Sequence, residues 1–120
     1  MDFPQLARQY GNDGVGLLLV SAWDFDEDDW LHARMAMMRG VESGFAIARA
    51  AKEGLLTISD SRGRVLAHMS SKAAPFATLV ATAPARHETT LYDRFGDWFA
   101  WACLGCLVAI LGLQFAGRPK

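Results

Sequence analysis

The sequence has no excess of positive charge, and this excludes one class of function. In 120 residues, 12 lysines and arginines stand against 13 aspartates and glutamates, which gives a formal net charge of −1 at pH 7. A protein that follows a nucleic-acid backbone needs clustered Lys and Arg side chains, because it must neutralise phosphates. We therefore expect no nucleic acid as a partner. The length is enough for one domain.

Cysteine is also scarce, since only Cys103 and Cys106 are present. Their C-x-x-C spacing occurs in metal and redox sites, but no second pair of ligands accompanies it. Both lie in an apolar stretch without the base or cation that a thiol needs to ionise near neutral pH. We expect them to be packing or lipid-facing thiols, and we expect no metal and no cofactor.

The other polar groups show no catalytic pattern. His32, His68 and His87 have no acid or nucleophile at a motif spacing, so we expect surface residues rather than bases. The acidic cluster at residues 24–29 lacks the glycine and the terminal glutamate of an EF-hand. We expect its carboxylates to stabilise the positive end of the helix that follows.

Charge is absent from Trp98 to Phe115, eighteen residues in which Gln114 is the only polar side chain. At about 1.5 Å per residue, such a helix is roughly 27 Å long, close to the ~30 Å hydrocarbon core of a bilayer. Aromatic residues cluster in its first turn, as they do at lipid–water boundaries. We expect a transmembrane helix over residues 97–117, and a buried core helix is the alternative.

The flanks of this stretch predict an orientation. Arg118 and Lys120 follow it directly, and positive residues tend to remain in the cytoplasm. We expect residues 118–120 to form a short cytoplasmic tail and residues 1–96 to lie on the non-cytoplasmic side of the cell (inner) membrane. No apolar export segment is visible at Met1, so upstream helices would have to carry the domain across.

Before this stretch, the hydrophobic pattern alternates between the helix period and the strand period. Residues 2–14 predict a short helix ended by Gly11, and Gly14–Val20 predicts a strand buried on both faces. A helix over Asp29–Ser43 comes next. Four further strands are then predicted, at residues 45–51, 55–60, 64–69 and 76–84. This order indicates a layered α/β domain that opens with the second half of a βαβ unit.

One face of the helix over Asp29–Ser43 carries both apolar and charged side chains. Leu31, Met35, Met38, Arg39 and Glu42 fall within a narrow arc at about 100° per residue. We expect this face to be buried. Arg39 and Glu42 would then pair with each other or with other groups of the core.

The order of these segments resembles the nitrilase (carbon–nitrogen hydrolase) superfamily. "DFPQLARQYGNDGVGLLLVSAW" is similar to the stretch that follows the catalytic cysteine there. "RMAMMRGVESGFAIARAAKEGLLTISDSRGRV" resembles the next block, which includes Arg39, Glu42, Arg49, Gly54 and the turn at residues 60–63. "LYDRFGDW", directly before the apolar helix, is similar to the junction in apolipoprotein N-acyltransferases, whose nitrilase-like domain lies outside the cytoplasmic membrane.

This resemblance implies a fold, a chemistry and partners. The fold would be the C-terminal half of a nitrilase-like αββα sandwich followed by one transmembrane helix. The family's catalytic glutamate, lysine and cysteine would all lie upstream of Met1, so this chain would hold no catalytic residue. Trp23 would line the acyl pocket, with a core tryptophan as the alternative, and Arg39 and Glu42 would support the site. The partners would be membrane phospholipid, a lipoprotein substrate and the missing N-terminal half of the domain.

Three functions remain open at this point. The chain could be the C-terminal fragment of an acyltransferase that passes a phospholipid acyl chain, through a thioester, to the amine of a lipoprotein cysteine. It could be part of a membrane-attached amidase of the same superfamily. It could also be a non-catalytic, membrane-tethered module that binds a partner through an exposed sheet edge.

Overall fold

The computed structural model describes residues 3–24 and 28–116, and the fold is α/β, as expected. The elements, in chain order, are α1 (Pro4–Asn12), β1 (Leu17–Trp23), α2 (Asp29–Glu42), β2 (Ala46–Lys52), β3 (Leu55–Ser59), β4 (Val65–Ser70), a 3₁₀ turn (Ser71–Ala73), α3 (Leu91–Phe95) and α4 (Trp98–Ala116). The helices predicted at residues 2–14 and 29–43 are confirmed. So are the strands predicted at residues 45–51, 55–60 and 64–69.

The four strands form one mixed sheet in the order β1-β2-β3-β4. β1 and β2 are parallel, and their register runs from Leu17 beside Ala46 to Trp23 beside Lys52. The other two pairs are antiparallel hairpins. Because β1 and β2 are parallel, their carboxyl ends meet at one edge of the sheet.

One face of the sheet packs against α1 and α2, mainly through small side chains. The core consists of Ala7, Ala36, Phe45 and Ile47, with a second cluster of Ala33, Met37 and Leu55. Gly40 continues the same face of α2, and a Cβ there would lie only 2.8 Å from the carbonyl oxygen of Phe45. The helix approaches the sheet closely because the contact positions are Ala and Gly.

The buried face of α2 is therefore not the one expected from the sequence. Leu31, Met35 and Met38 are 54%, 39% and 53% exposed, so their predicted burial is wrong. The small residues of α2 allow a close approach that the larger side chains on the other face would prevent. The apolar arc that suggested a core position points outward in this chain.

β1 is an edge strand, and the prediction that both of its faces are buried is also wrong. Its side chains alternate between exposed and half-buried. Leu18 and Val20 pack on the core, whereas Leu19 is 75% exposed. We call the opposite side of the sheet the helix-free face; it carries Leu17, Leu19, Ser21, Ala48, Ala50, Leu56 and Ile58. A continuous apolar run shows that both faces of a strand are apolar, but not what covers them.

The strand predicted at residues 76–84 is absent from the structure. This segment runs over the helix-free face instead, where Leu79 lies in a groove with Leu19 and Ile58. Further along, the carbonyl of Ala85 is so close to Gly16 that a Cβ there would collide with it. Because the segment crosses the face of the sheet rather than its edge, it forms no strand ladder.

Hydrogen bonds attach α3 to α1 and α2. Thr90 and Asp93 form a capping box at the start of α3, and the Thr90 hydroxyl also donates to the carbonyl of Glu42. From α1, Arg8 Nε donates to the carbonyl of Asp93 at 3.1 Å. The Arg8 guanidinium lies 5.9 Å from the ring centre of Tyr92. Burial, together with nearby carboxylates, raises the pKa of Tyr92 above its ordinary value.

α4 follows α3 and leaves the packed part of the chain. All side chains described for this helix, from Trp98 to Gln114, are exposed. Within residues 3–24 and 28–116, no helix combines the length and the apolarity that crossing a membrane requires. The predicted cytoplasmic tail at residues 118–120 lies outside the described residues.

A buried carboxylate holds the β3–β4 turn. Asp60 is 2% exposed, and its Oδ1 accepts hydrogen bonds from the backbone N–H groups of Arg62 and Arg64, at 3.0 and 2.9 Å. Its Oδ2 accepts one from Arg64 Nε at 2.6 Å. Burial alone would raise the pKa of Asp60, but the bonds from Arg64 and Arg62 outweigh burial and lower that pKa below its ordinary value.

This lowered pKa predicts part of the acid sensitivity of the fold. The ionised carboxylate stabilises the folded chain above its unfolded-state pKa near 4, and that contribution is lost as pH falls through the lower folded-state pKa. Asp60→Asn should therefore reduce the loss of unfolding free energy between about pH 6 and pH 2. Urea unfolding followed by circular dichroism measures this, with Asp13→Asn as an exposed control. An Asp60→Asn variant as acid-sensitive as the control would contradict the prediction.

Candidate functional site

The candidate site lies where β1 and β2 end side by side, which is where α/β folds place their ligands. Trp23 ends β1, and its indole Nε1 donates to Glu53 Oε2 at 2.7 Å. The Lys52 ammonium, at the end of β2, lies 4.1 Å from the centre of the Trp23 ring. Trp23 is 53% exposed, so it is not a core residue of the described chain. Its ring stands at the sheet edge between a cation and a carboxylate.

A buried ion pair lies directly behind Trp23. The Asp24 carboxylate pairs with Arg49 Nη2, and both side chains are 3% exposed. Arg49 Nη1 also donates to the carbonyl of Leu55 at 3.0 Å, and the Asp24 N–H donates to the carbonyl of Lys52 at 3.1 Å. These bonds connect the ends of β1 and β2 to the start of β3. Because the pair is buried, loss of either side chain would leave the other charge uncompensated, which would destabilise the fold.

The second oxygen of Asp24 explains why residue 54 is a glycine. Asp24 Oδ2 is buried, has no hydrogen-bond partner within the described residues, and lies against Gly54. A Cβ at Gly54 would collide with this carboxylate. His32 Nδ1 lies 3.6 Å from Asp24 Oδ1, and the His32 side chain is 42% exposed. Sequence reasoning missed this cluster, because no motif spacing joins residues 24, 32 and 49.

Two apolar grooves open on the helix-free face next to this site. The first, of about 470 Å³, is lined by Leu19, Ala50, Leu56 and Leu79, among others. The second, of about 570 Å³, shares Ala50 and Leu56 with the first and reaches Lys52. The helix-free face is therefore a continuous apolar surface with a cation at the Trp23 end.

Arg39 and Glu42 form an ion pair, with Arg39 Nη1 at 2.7 Å from Glu42 Oε2. Both are half-buried, at 20% and 30% exposure. They lie near the end of α2, beside Thr90 of the α3 junction, whereas Trp23 precedes the start of that helix. The structure does not bring them to Trp23. Their supporting role stays a prediction, and it would act through α2.

The remaining polar groups provide no nucleophile or metal site in the part of the chain that the structure describes. Cys103 and Cys106 are unpaired and exposed on α4. The described residues contain no group of three or more His, Cys, Asp or Glu side chains that could hold a metal ion. His87 is only 16% exposed, with Nε2 3.3 Å from Asp93 Oδ2, so its expected surface position is wrong.

Comparison with known proteins gives one consistent result. The chain is 32% identical to the apolipoprotein N-acyltransferase of Geobacter metallireducens over 94% of its length. It is 36% identical to the Nitrosomonas europaea enzyme of the same name over 74% of its length, and 27% identical to the Thermotoga maritima enzyme over 98%. The chain is similar to part of the apolipoprotein N-acyltransferases.

The match covers only part of each of these apolipoprotein N-acyltransferases. The chain spans 22%, 18% and 23% of the length of the three enzymes, or about a fifth. No family model matches the chain, and no solved structure matches it. The similarity is consistent with the C-terminal part of such an enzyme, as the sequence resemblance suggested.

The buried pair at the site should dominate the stability of this region. Arg49→Met leaves the Asp24 carboxylate buried without its cation, which should cost about 3–5 kcal/mol of unfolding free energy. The double variant Asp24→Leu/Arg49→Met removes both charges and should cost less than Arg49→Met alone. Thermal and urea unfolding of the detergent-solubilised chain measure both variants.

Arg86→Ala is the matched control for this prediction. Arg86 is 73% exposed and pairs with Glu88 at the surface, so its loss should cost less than about 1 kcal/mol. Equal destabilisation by Arg49→Met and Arg86→Ala would show that the Asp24–Arg49 pair does not hold the site.

Proposed function

We propose that the chain is the C-terminal part of a membrane-bound enzyme of the apolipoprotein N-acyltransferase type. The parent enzyme would transfer an acyl chain from a phospholipid to the N-terminal amine of a lipoprotein cysteine. The observation that carries this proposal is the 32% identity to the Geobacter metallireducens enzyme over 94% of the chain. The match covers only 22% of that enzyme, which supports the proposal that the chain is part of a catalytic unit rather than a whole one.

In this proposal the reacting thiol is a cysteine shortly upstream of Met1, helped by a glutamate base and a lysine. The glutamate takes the proton of the thiol, the thiolate attacks the ester carbonyl of the phospholipid to form a thioester, and the lysophospholipid leaves as an alcohol with that proton. The lipoprotein amine then attacks the thioester, loses a proton to the base, and becomes an amide while the thiol is regenerated. Cys103 and Cys106 take no part, because they lie on the apolar helix α4.

This chain would supply one wall of the acyl site and half of the surrounding domain. Trp23 presents an exposed aromatic ring at the carboxyl edge of the sheet, and the Asp24–Arg49 pair fixes the backbone behind it. The helix-free face would receive the second sheet of an αββα sandwich, contributed by the missing N-terminal half of the domain. Burial of that apolar face would stabilise the assembled domain.

α4 would hold the enzyme at the membrane. Two observations support this: the side chains described from Trp98 to Gln114 are all exposed, and the sequence has no charge from Trp98 to Phe115. An uncharged helix of this kind is stable when lipid surrounds it. With Arg118 and Lys120 in the cytoplasm, the α/β domain would face the non-cytoplasmic side, where lipoprotein substrates would meet it.

Replacing the matching fifth of the Geobacter metallireducens enzyme by this chain tests the proposed function. The fusion should acylate a synthetic lipopeptide that carries a free N-terminal cysteine amine, in phospholipid vesicles, with mass spectrometry as the readout. The chain alone should show no transfer. A folded fusion without activity, or transfer by the chain alone that is lost on Cys103→Ala, would contradict the proposal.

Deletion of residues 98–120 tests the membrane role of α4. The truncated chain should remain in the supernatant when vesicles are sedimented, because roughly eighteen apolar residues dominate partition into lipid. Deletion of residues 118–120 alone is the matched control and should sediment like the full chain. If the longer deletion still sediments with vesicles, another surface binds the membrane.

A further inference from the structure

Lys52 places a positive charge at the carboxyl edge of the sheet. It ends β2 directly beside Trp23, the last residue of β1. Side chains at paired positions of neighbouring strands point to the same face of a sheet, so both lie on the helix-free face. The Lys52 ammonium lies over the Trp23 ring, 4.1 Å from its centre. Within residues 3–24 and 28–116, no carboxylate lies at ion-pair distance from this ammonium.

The neighbouring carboxylate does not neutralise Lys52, because Trp23 holds it elsewhere. Glu53 Oε2 accepts a hydrogen bond from Trp23 Nε1 at 2.7 Å. Glu53 itself has a left-handed backbone, with φ at 51°, where the chain turns from β2 into β3. The indole therefore binds the carboxylate at the edge of its ring and the ammonium over its face. The two charges stay apart, and the ammonium remains able to bind an anion.

Lys52 lies at the rim of the larger groove, of about 570 Å³. The floor of this groove is apolar and includes Ala22, Ala50, Leu56 and Phe76. Lys72 lines it as well, in a segment that two hydrogen bonds attach to the β2–β3 turn. The Gly54 N–H donates to Ser71 Oγ at 3.0 Å, and the Ser71 N–H donates to the Gly54 carbonyl at 2.9 Å. The groove thus joins an apolar floor to a cationic rim.

This combination fits an amphiphile with one negative charge next to its hydrocarbon chains. The groove volume lies in the range of pockets that bind small molecules, roughly 300–1,000 Å³. An ammonium group donates up to three hydrogen bonds, and its bonds to phosphate oxygens are stronger than those between neutral groups. Its contact with an exposed aromatic ring is weak by comparison. A phosphate at the groove rim would therefore bind Lys52 without a large cost.

We propose that Lys52 binds the phosphate of the phospholipid that donates the acyl chain. This inference rests on the proposed function and deepens it, because it names the residue that recognises the donor. The phosphate would lie beside Trp23 at the carboxyl edge, and an acyl chain would lie along the groove floor. A neutral diacylglycerol has the same chains but gives Lys52 no partner. Lys52 is thus a specificity-determining residue that selects phospholipids over neutral glycerolipids.

Binding of short-chain lipids to the full chain, in a non-ionic detergent, tests this directly. Dihexanoylphosphatidylglycerol should change the tryptophan emission saturably, and Trp23→Phe should remove that change. Dihexanoylglycerol, which lacks the phosphate, should bind at least about tenfold more weakly, and so should inorganic phosphate, which lacks the chains.

Lys52→Gln is the decisive variant. It should weaken binding of dihexanoylphosphatidylglycerol by about tenfold and leave binding of dihexanoylglycerol unchanged, because only the former offers a phosphate. Lys52→Arg keeps the cation and should restore binding to within about twofold. Arg34→Gln is the matched control: the Arg34 guanidinium also lies over a tryptophan ring, that of Trp30, but Arg34 does not line the groove.

The fusion with the Geobacter metallireducens enzyme provides a kinetic readout of the same residue. Lys52→Gln should raise the KM for the phosphatidylglycerol donor by about tenfold, with kcat and the KM for the lipopeptide within about twofold of the parent fusion. Lys52→Arg should return the donor KM to that of the parent fusion, and Arg34→Gln should not change it.

Several results would overturn the inference. They are equal binding of phosphatidylglycerol by Lys52→Gln and the unchanged chain, an equal loss of dihexanoylglycerol binding, and an emission change that persists in Trp23→Phe. Inorganic phosphate bound as tightly as the phospholipid would indicate a simple anion site and would also overturn it. Lys52-dependent binding of phosphatidylglycerol with no transfer by the fusion would support the inference while contradicting the proposed function.

Discussion

The Asp24–Arg49 ion pair is the interaction on which the candidate site depends. Its two side chains are almost fully buried, and Arg49 also bonds the carbonyl of Leu55. The pair therefore joins the ends of the two parallel strands to the next hairpin, immediately behind Trp23. A buried pair adds little net stability over apolar residues, but it makes one arrangement much more favourable than others in which a charge is unpaired. Gly54 permits this arrangement by leaving room for the Asp24 carboxylate.

The second constraint is that the sheet is covered by helices on one side only. Small residues of α2, such as Ala36 and Gly40, bring the helix layer close to the sheet. The opposite face, which residues 76–84 cross, and the β1 edge are apolar and have no helix over them; Leu19 is the most exposed large apolar residue of that strand. Both surfaces have the composition of a protein interior. Under the proposed function, the rest of the parent enzyme would cover the helix-free face; the match spans 22% of the Geobacter metallireducens enzyme.

Local sequence patterns predicted α1, α2, α4 and most of the strands, because period and turn residues determine them; the short helix α3 was not predicted. They did not predict burial. The run at Gly14–Val20 is apolar on both faces, but within the described residues only the side chains on one face, Leu18 and Val20, pack on the core. On α2, the large side chains of Leu31 and Met38 were expected to be buried, but they are exposed. Ala33 and Ala36 are buried instead, because their small side chains let the helix pack closely on the sheet.

The position of Trp23 was predicted, because it follows an apolar run and ends β1 at the carboxyl edge of the sheet. Its role in a site stays a prediction. The cluster of Asp24, His32 and Arg49 was missed because its members are brought together only by the fold. The helical spacing of Arg39 and Glu42 predicted that they pair with each other. It did not predict that they lie away from Trp23.

The most direct test of the central claim is the nucleotide sequence immediately upstream of the Met1 codon. The proposed function requires the reading frame to continue upstream, with a cysteine codon shortly before Met1 and glutamate and lysine codons further upstream. An in-frame stop codon between Met1 and the nearest upstream cysteine codon would contradict this account. The chain would then be a membrane-tethered module without the chemistry of its relatives.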